Sequence, residues 1–469
     1  MSDAPLRAEN FTKIASGGFG DHTSRIVQAM AWFKRALYVG TGGRSLNPMG
    51  LSDAAMEKLG PFARAAISSG AAPAGASIWR HDPPTGAWTR VFEAPLMDHL
   101  GRQVPRDRNI RASLVWREAG GTEALYFGVS AMKGRLRLIR TVDGLTFEEG
   151  ATSGLGLPEG ADIPSIRSLV AAGGKVFSSP VGMIEGRGML DDNMSAFPMV
   201  FCARHPFATD WQPVSAPGFG NPDNLSVNEI AELDGWLYAG TLNIRTGCEL
   251  WRCPLDDMRP EAWERVFAEG AGLGPLNSIV SATHAFQGHL YIATGLQRQG
   301  KTGIDRYGPV GGEVLRVAPS GQWDLICGQN RITDAGWKPP LSAMGPSFDE
   351  PLSRGVWHMG DHQGWLYAGG ADWRIFDSYL PPEDSRLPDE AIGAMLEDHA
   401  AYEGGFPIWC SPDGVTWQVL TRYGFEKNIE TGGARFLQPS PCGMFIGTAS
   451  TGKSKTLGGL EVWFGADHG

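Results

Sequence analysis

A five-residue phrase, in which an apolar, an aromatic and a second apolar residue precede glycine and a small residue, recurs along this chain. Copies follow a short apolar run and a turn such as Asp234-Gly235 or Gln287-Gly288, which is the pattern of a β-hairpin. The strong copies are LYVGT at 37–41, LYFGV at 125–129, LYAGT at 237–241, LYIAT at 290–294 and LYAGG at 366–370, and the weaker ones are VFSS at 176–179 and MFIGT at 444–448. Such repetition predicts that one structural unit recurs along the chain.

Each copy is followed by further strand-like runs. The third runs are 77–80, 137–140, 200–203, 249–252, 313–316, 407–410 and 461–464. The fourth runs begin at the aromatic residues Trp88, Phe147, Trp211, Trp263, Trp323 and Trp417. The last repeat lacks a fourth run, but FTKI at 11–14 supplies one at the opposite end of the chain.

This arrangement predicts an all-β fold, a seven-bladed β-propeller with four-stranded blades. The ring is expected to close by the N-terminal strand pairing into the last blade, because closure removes the open sheet edges. A β-sandwich or several small β domains is the alternative. Although 469 residues suggest two to four domains, the repeat predicts a single domain, 1–469. Its expected blades are about 22–92, 108–149, 163–214, 224–267, 276–326, 353–420 and 428–465 plus 10–15.

The extra length of the chain is concentrated in insertions. They are expected at 42–76, 180–198, 295–312, 328–352 and 370–405. In a propeller such connections share one face, so we expect that face to be built up and functional. Residues 52–59 and 388–397 are predicted helices. Both are expected to lie over the axial opening as lids, and the alternative is that they only pad the rim.

The composition of the chain excludes several classes of binding partner and location. The formal charge of −10, without a block of Lys and Arg, argues against nucleic acid and anionic membranes. No apolar run approaches the roughly 20 residues that a membrane-spanning helix needs. The N-terminal MSDAPLRAENF shows no secretory signal, and six scattered cysteines form no CxxC pair. These features predict a cytoplasmic protein with reduced thiols.

Two turns between third and fourth runs carry a sharper phrase. They read SPDGVTW at 411–417 and TVDGLTF at 141–147. With one spacer absent, the phrase resembles the Asp-box of bacterial-neuraminidase-repeat, sialidase-like propellers. The resemblance implies a folding element in which Asp accepts backbone N–H bonds and Gly takes a positive φ. No Arg-Ile-Pro phrase is present and seven repeats differ from the six blades of sialidases, so sialidase activity is not predicted.

The first strand of each blade is expected to line the axis. Counting back nine residues from each repeated phrase gives a ring of positions rich in Arg, and adjacent residues extend it. The positions are Gln28, Arg167, Asn228, Ser281, Trp357 and Arg435, with Arg111 nearby. The predicted substrate-binding residues are Arg25, Arg111, Arg167, Asn228, His284, Arg354, Trp357 and Arg435. An anionic ligand fits such a ring, since Arg binds carboxylate or phosphate through two N–H bonds. For Arg111, Arg167 and Arg435 the alternative is an ion pair between blades.

Four residues are predicted to move protons. His22 is expected as a general base oriented by Asp21, with Glu229 and His358 as further acid–base groups. In the alternative, Asp21 or His22 only caps a turn. No cofactor is predicted, and Ca²⁺ or Mg²⁺ stays open, because Glu229 and Asn228, with Asn224 and Asn277 at matching repeat positions, offer oxygen ligands. Gly360-Asp361 is interpreted as a hairpin turn, and His362 is expected to be an exposed turn residue.

Two functions follow from these patterns. The first is an enzyme acting on a small polar or anionic metabolite, of the lyase, isomerase, cyclase or hydrolase type. The alternative is a binding or scaffold propeller for a protein or a glycan, using insertion aromatics expected to be exposed. These aromatics are Trp337, Phe348, Trp373, Phe376 and Tyr379. The substrate and the oligomeric state are not predicted.

Overall fold

The computed structural model describes residues 4–42, 75–99, 102–131, 135–150, 155–157, 163–182, 193–297, 310–350, 352–375, 390, 393, 397 and 400–466. The fold of these residues is all-β, which confirms the predicted class. Within these ranges, no helix combines the length and the apolar composition needed to cross a membrane.

The strands are numbered in chain order. The first half of the chain contains β1 (Phe11–Ala15), β2 (Ile26–Phe33), β3 (Ala36–Gly42), β4 (Ser77–Asp82), β5 (Ala87–Glu93), β6 (Leu96–His99), β7 (Arg102–Pro105), β8 (Asp107–Arg117), β9 (Glu123–Ala131), β10 (Arg137–Thr141), β11 (Glu148–Glu149), β12 (Ser165–Ala172), β13 (Lys175–Val181), β14 (Phe201–Ala203) and β15 (Gln212–Pro213). The second half contains β16 (Ser226–Leu233), β17 (Trp236–Leu242), β18 (Leu250–Pro254), β19 (Glu264–Phe267), β20 (Ile279–Phe286), β21 (His289–Gly295), β22 (Glu313–Val317), β23 (Trp323–Cys327), β24 (Arg331–Thr333), β25 (Gly336–Lys338), β26 (Ser353–His362), β27 (Trp365–Asp372), β28 (Ile408–Ser411), β29 (Gln418–Thr421), β30 (Thr431–Ser440), β31 (Gly443–Ser450) and β32 (Val462–Gly465).

In the described ranges outside 390–400, helical structure consists of short turns next to strands. These turns are Ala8–Asn10, Gly17–Gly20, Pro217–Gly220, Pro260–Ala262, Glu269–Gly272, Gly274–Asn277, Pro346–Asp349 and Trp373–Ile375. Of the two predicted lid helices, 52–59 lies outside the described residues. The second falls mostly outside them, but Glu390, Gly393, Glu397 and Ala400 are helical where 388–397 predicted a helix.

Successive strands form antiparallel meanders in chain order, the arrangement found in propeller-like folds. The units are β2 to β5, β8 to β11, β12 to β15, β16 to β19, β20 to β23, β26 to β29, and β30 to β32. We call the innermost strand of each unit its first strand; these are β2, β8, β12, β16, β20, β26 and β30. The strand β1 pairs antiparallel with β32, with Phe11 opposite Gly465.

The glycine of the repeated phrase has a packing function. An added Cβ at Gly40 would lie 2.6 Å from Ile110, and one at Gly240 would lie 2.5 Å from Val280. In both cases the contacted residue belongs to the first strand of the next unit. The same relationship joins the last unit to the first, since a Cβ at Gly447 would lie 2.6 Å from Val27. The glycine therefore lets a branched side chain of the neighbouring unit approach the sheet closely.

A left-handed turn precedes several first strands, and the sequence pattern did not reveal it. Gly18 and Phe19 have φ values of 60° each, and Gly218 and Phe219 have φ values of 56° and 55°. The turn projects the aromatic ring onto the third strand of the same unit. The ring of Phe19 stacks on Trp79 at a centroid distance of 4.5 Å. Backbone strain at these positions is thus offset by aromatic packing.

The two Asp-containing turns have the expected hydrogen bonds. Asp413 Oδ1 accepts bonds from the backbone N–H groups of Val415 at 2.8 Å and Thr416 at 2.6 Å. The turn at Asp143 repeats this pattern with Leu145 and Thr146. Gly414 has a positive φ of 72°, as expected. The hydrogen bonds show what the Asp side chain does in the turn, whereas membership of the Asp-box family stays a prediction.

The insertion aromatics are only partly exposed. Phe348 and Trp373 are buried, so their predicted exposure is wrong. Phe348 is packed against Trp409 and Trp417 at the start of β26. Trp337 is 57% exposed in the small hairpin of β24 and β25, as predicted. Phe376 and Tyr379 lie outside the described residues.

Candidate functional site

A β-bulge interrupts every first strand at the same register. In β2, Val27 pairs with Thr41 and Ala29 with Gly40, which leaves Gln28 as the extra residue. In the same way, Ile110 and Ala112 leave Arg111 unpaired in the ladder. The bulged residues of the first strands are Gln28, Arg111, Arg167 with Ser168, Asn228, Ser281, Trp357 and Arg435. Apart from Arg111 and Ser168, these are the positions that the nine-residue count selected, and a bulge re-aims the side chain of its extra residue.

Some bulged residues connect neighbouring first strands. Arg167 Nε donates to the Asn228 carbonyl oxygen at 3.3 Å. Asn228 Nδ2 donates to the Val280 carbonyl oxygen at 2.7 Å, and Ser281 Oγ donates to the Val356 carbonyl oxygen at 2.8 Å. The Asn228 side chain is fully buried and its Nδ2 holds two strands together, whereas a substrate-binding role for this residue stays a prediction.

Three arginines surround one carboxylate. Arg167 Nη2 lies 3.4 Å from Glu229 Oε1, so the expected ion pair between first strands is present for Arg167. The charges of Arg111 and Arg435 also act on Glu229. Burial raises the pKa of Glu229, and the three arginines oppose that rise. We refer to Arg111, Arg167, Glu229 and Arg435 as the arginine cluster.

Arg435 is the most perturbed cation of the cluster. Burial, together with the charges of Arg167 and Arg111, lowers the pKa of Arg435 to about 9, although Glu229 raises it. In the described part of the chain it has no hydrogen-bond acceptor; its guanidinium lies 5.9 Å from the centroid of the Trp357 ring. A half-buried guanidinium with this little compensation is a group whose charge an external anion could balance.

The two other predicted arginines are held by amide side chains. Arg111 Nη2 donates to Asn193 Oδ1 at 3.0 Å. Arg354 Nη2 donates to Gln297 Oε1 at 2.7 Å, and its guanidinium lies 5.5 Å from the Trp357 ring centroid. Trp357 thus contacts both Arg354 and Arg435. The sequence contained no signal that would have selected Asn193 or Gln297, because both lie in connections of irregular length.

His358 is a neutral hydrogen-bond donor in this geometry. The backbone N–H of Leu437 donates to His358 Nδ1 at 3.3 Å, which places the ring proton on Nε2. Burial, followed by the charges of Arg435 and His284, lowers the pKa of His358 to about 3. A ring that stays neutral at physiological pH and already accepts a bond at Nδ1 is poorly suited to remove a proton. This geometry favours an N–H donor, and an acid–base role for His358 stays a prediction.

His284 forms a pair that the sequence did not predict. Its Nε2 lies 2.8 Å from Asp361 Oδ1, and the pair joins β20 to β26. The hydrogen bond from His284 is the largest cause of a lowered pKa at Asp361. The strand β26 continues to His362, whose burial contradicts the prediction of an exposed turn residue. The hairpin turn lies instead at Gln363 and Gly364, where φ is positive.

Asp21 and His22 occupy a turn before β2. Asp21 Oδ1 accepts bonds from the backbone N–H and the hydroxyl of Thr23 at 2.9 and 2.7 Å. Asn221 makes the equivalent bond with the backbone N–H of Asp223, so this turn belongs to the repeat. Within the described residues no hydrogen bond joins Asp21 to His22. The expected orientation of His22 by Asp21 is thus not formed, and a catalytic role for His22 stays a prediction.

Arg25 lies between the same turn and β2, and it is distant in sequence from the residues of the arginine cluster. Its Nη1 donates to the Thr451 carbonyl oxygen at 3.3 Å. Its backbone carbonyl accepts a bond from Ser450 in β31 at 2.8 Å. Arg25 therefore connects the last unit of the chain to the first, and a ligand contact for this residue stays a prediction.

The asparagines suggested as metal ligands are engaged elsewhere. Asn224 Nδ2 donates to Glu249 Oε2 at 2.7 Å, and Asn277 Nδ2 donates to Glu313 Oε2 at 2.6 Å. Both pairs are buried and fasten a loop to a third strand. Across the ranges that the structure describes, no three His, Cys, Asp or Glu side chains are grouped as a metal site. The two amide groups thus serve to hold loops in place, and a metal site at Glu229 stays a prediction.

Comparison with known proteins gives distant likenesses only. No family model and no curated protein matches the chain. Similar solved structures include a puromycin hydrolase, with a TM-score of 0.48 and 12% identity over 96% of this chain and 52% of that one. A xyloglucanase of family GH74 from Xanthomonas campestris has a TM-score of 0.42 and 15% identity over 98% and 56%. The chain spans about half the length of these two structures.

Proposed function

We propose that the protein is a seven-bladed β-propeller enzyme that holds a small anionic metabolite on the arginine cluster and acts on it by acid–base chemistry. The ring is supported by the meanders in chain order and by the pairing of β1 with β32. Single bridges also link units, for example Gly42 with Asn109 and Ile26 with Ala449. In this ring the bulged residues of the first strands face the axis.

The perturbed guanidinium of Arg435 carries the proposal for an anion. Its positive charge lies near those of Arg111 and Arg167, and Glu229 supplies only partial compensation. A carboxylate or phosphate group would accept N–H bonds from Arg435 and relieve the repulsion among the three cations. The ligand class that fits best is therefore a small metabolite with at least one such group.

Glu229 and His358 supply different parts of the chemistry. Glu229 has a raised pKa and lies beside Arg167, so it can exchange a proton with a bound ligand. His358 offers its Nε2–H as a donor to an oxygen that gains negative charge. Lyases, isomerases, cyclases and hydrolases all use this combination, and the residues do not choose among them.

Isothermal titration calorimetry with inorganic phosphate and with citrate tests the anion site. We expect both anions to bind the wild-type protein, and Arg435→Gln to weaken the binding at least about tenfold, because a charged hydrogen bond is worth roughly 1.5–3 kcal/mol. Arg117→Gln is the matched control, since Arg117 lies in the first strand β8 but is paired with Glu123 at the surface. Equal binding by wild type and Arg435→Gln would exclude the proposed site.

One observation favours a second function, the docking of another macromolecule. Ile332 and Trp337 are cross-strand partners in the hairpin of β24 and β25, and they are 80% and 57% exposed. A projecting apolar pair of this kind suits a protein or glycan partner. Trp337→Ala would then abolish capture of the partner without changing the binding of phosphate.

We also propose a reducing, cytoplasmic environment. All six cysteines are free thiols, and Cys248 and Cys327 are buried in the core. Burial raises the pKa of Cys327 to about 12, which keeps its thiol protonated and unreactive. Mass spectrometry of alkylated protein from the native host would show six reduced thiols, whereas a disulfide would contradict the proposal.

A further inference from the structure

We infer that His284, oriented by Asp361, is a second proton-transfer residue of the proposed active site. This inference rests on the proposed function and adds a catalytic residue and a positioning residue to it. The His284 ring was predicted only to bind substrate, and Asp361 was assigned to a turn. The geometry of the pair supports a different use of both residues.

His284 and Asp361 lie on neighbouring first strands. His284 lies in the first strand β20, three residues beyond the bulged Ser281, and Asp361 lies in the next first strand, three residues beyond His358. The charge of His284 acts on His358, which is itself under the influence of Arg435. The ring centroids of His358 and Phe436 lie 4.1 Å apart, and Phe436 follows Arg435 in β30, so β26 connects the His–Asp pair to the arginine cluster through His358.

The hydrogen bond to Asp361 leaves one ring nitrogen of His284 available. His284 Nε2 is bound to Asp361 Oδ1 at 2.8 Å, and the side chain is 23% exposed. In the described part of the chain Nδ1 has no hydrogen-bond partner. A ring nitrogen left available while the other is held by a carboxylate is the arrangement of a general base. His358 differs, since its Nδ1 already accepts the Leu437 N–H.

The proposed proton transfer through His284 is balanced. His284 Nδ1 takes a proton from an O–H or acidic C–H group of the bound anion, and the imidazolium that forms is stabilised by the Asp361 carboxylate. The proton returns to the ligand or to water when the product leaves. No electrons are transferred and no co-reactant is needed. Glu229, on the adjacent first strand β16, can supply the complementary proton.

Diethyl pyrocarbonate provides a test that needs no substrate, because it carbethoxylates accessible, unprotonated imidazole nitrogens. Peptide mass spectrometry would give the modification rate of each histidine. His289 is the internal control, since it lies on the same hairpin without a carboxylate partner among its described contacts. We expect His284 to react several-fold faster than His289. Asp361→Asn should slow His284, and Asp361→Glu should restore it, while phosphate binding is unchanged.

Phosphate protection separates this inference from the anion site itself. Bound phosphate should slow the modification of His284 in the wild type but not in Arg435→Gln. An unchanged His284 rate in Asp361→Asn would overturn the positioning role of Asp361. An unprotected His284 in wild-type protein that binds phosphate by calorimetry would place this residue outside the site. Absence of phosphate binding with a normal Asp361→Asn effect would instead count against the arginine cluster and support the His–Asp pair.

Discussion

Arg167 Nη2 lies 3.4 Å from Glu229 Oε1 across two neighbouring first strands. This distance is longer than that of a strong charge-assisted hydrogen bond. The carboxylate therefore reduces the positive charge of the arginine cluster without cancelling it, and the proposed anion would compete with it for the same guanidinium groups.

Replacing this carboxylate should strengthen anion binding. Glu229→Gln removes a negative charge near Arg167, Arg111 and Arg435. With the effective dielectric constant of a protein surface, we expect the affinity for phosphate to rise about threefold to tenfold. Turnover of any substrate should fall in the same variant because the proton-transfer group is lost. Calorimetry of Glu123→Gln is the control, because Glu123 is an exposed carboxylate of β9. Weaker binding by Glu229→Gln would show that the carboxylate is needed to hold the arginines in place.

A methyl group at Gly447 should destabilise the protein. The added Cβ would lie 2.6 Å from Val27, so Gly447→Ala forces apart the last and first units of the chain. The expected loss is about 1–3 kcal/mol in the free energy of unfolding, the usual cost of overpacking. Urea unfolding of Gly120→Ala is the control, because an added Cβ at Gly120 meets no atom within 4 Å. Equal stability of the two variants would contradict the proposed contact between terminal units.

His358 should make folding stability depend on pH. The unfolded chain protonates this histidine near pH 6.5, whereas the folded protein does so only at about pH 3. The unfolded state therefore binds more protons in that window, and stability falls as the pH decreases from about 6.5 towards 3.

The variant His358→Gln removes this titration. Its loss of stability between pH 7 and pH 5 should be smaller than that of the wild type by about 2 kcal/mol. Urea unfolding at both pH values measures the difference, with His289→Gln as the control on the neighbouring hairpin. Parallel curves for wild type and His358→Gln would mean that the His358 ring is protonated in the folded state.

Asp413 should stabilise its turn only while it is ionised. Burial tends to raise the pKa of Asp413, but hydrogen bonds from Thr416 and Val415 lower it below its usual range. Its contribution is thus present above the unfolded value near pH 3.9 and is lost as the pH falls through the lower, folded value. Asp413→Ala should cost about 1 kcal/mol at pH 7, and the difference from wild type should shrink towards pH 2. Thermal unfolding across this range tests the sign, and a constant difference would contradict it.

Sequence reasoning located the architecture because its signals are local. The Leu-Tyr phrase marks a second strand whose glycine must accept the neighbouring unit, as Gly40 accepts Ile110. The nine-residue count reached the bulged residues because the hairpin length is nearly constant. Even Arg111, which lies in a longer hairpin, occupies the same register.

The sequence did not predict which groups the candidate side chains contact. Whether Arg435 pairs with an acid, or His358 with a backbone N–H, depends on contacts between distant strands. Exposure was also misjudged for Phe348 and His362, since their surroundings are set by packing between units. Asp361 was missed because the hairpin turn lies at Gln363 and Gly364, so Asp361 belongs to the strand β26.

The bulges have a consequence for how the side chains at these positions change over evolutionary time. A bulged residue contributes little to the strand ladder, so its side chain can be exchanged while the sheet keeps its pairing. Gln28, Ser281, Trp357 and Arg435 already show four chemistries at equivalent positions. Relatives with the same scaffold can therefore acquire new ligand preferences by single substitutions at these positions, without first gaining stability elsewhere.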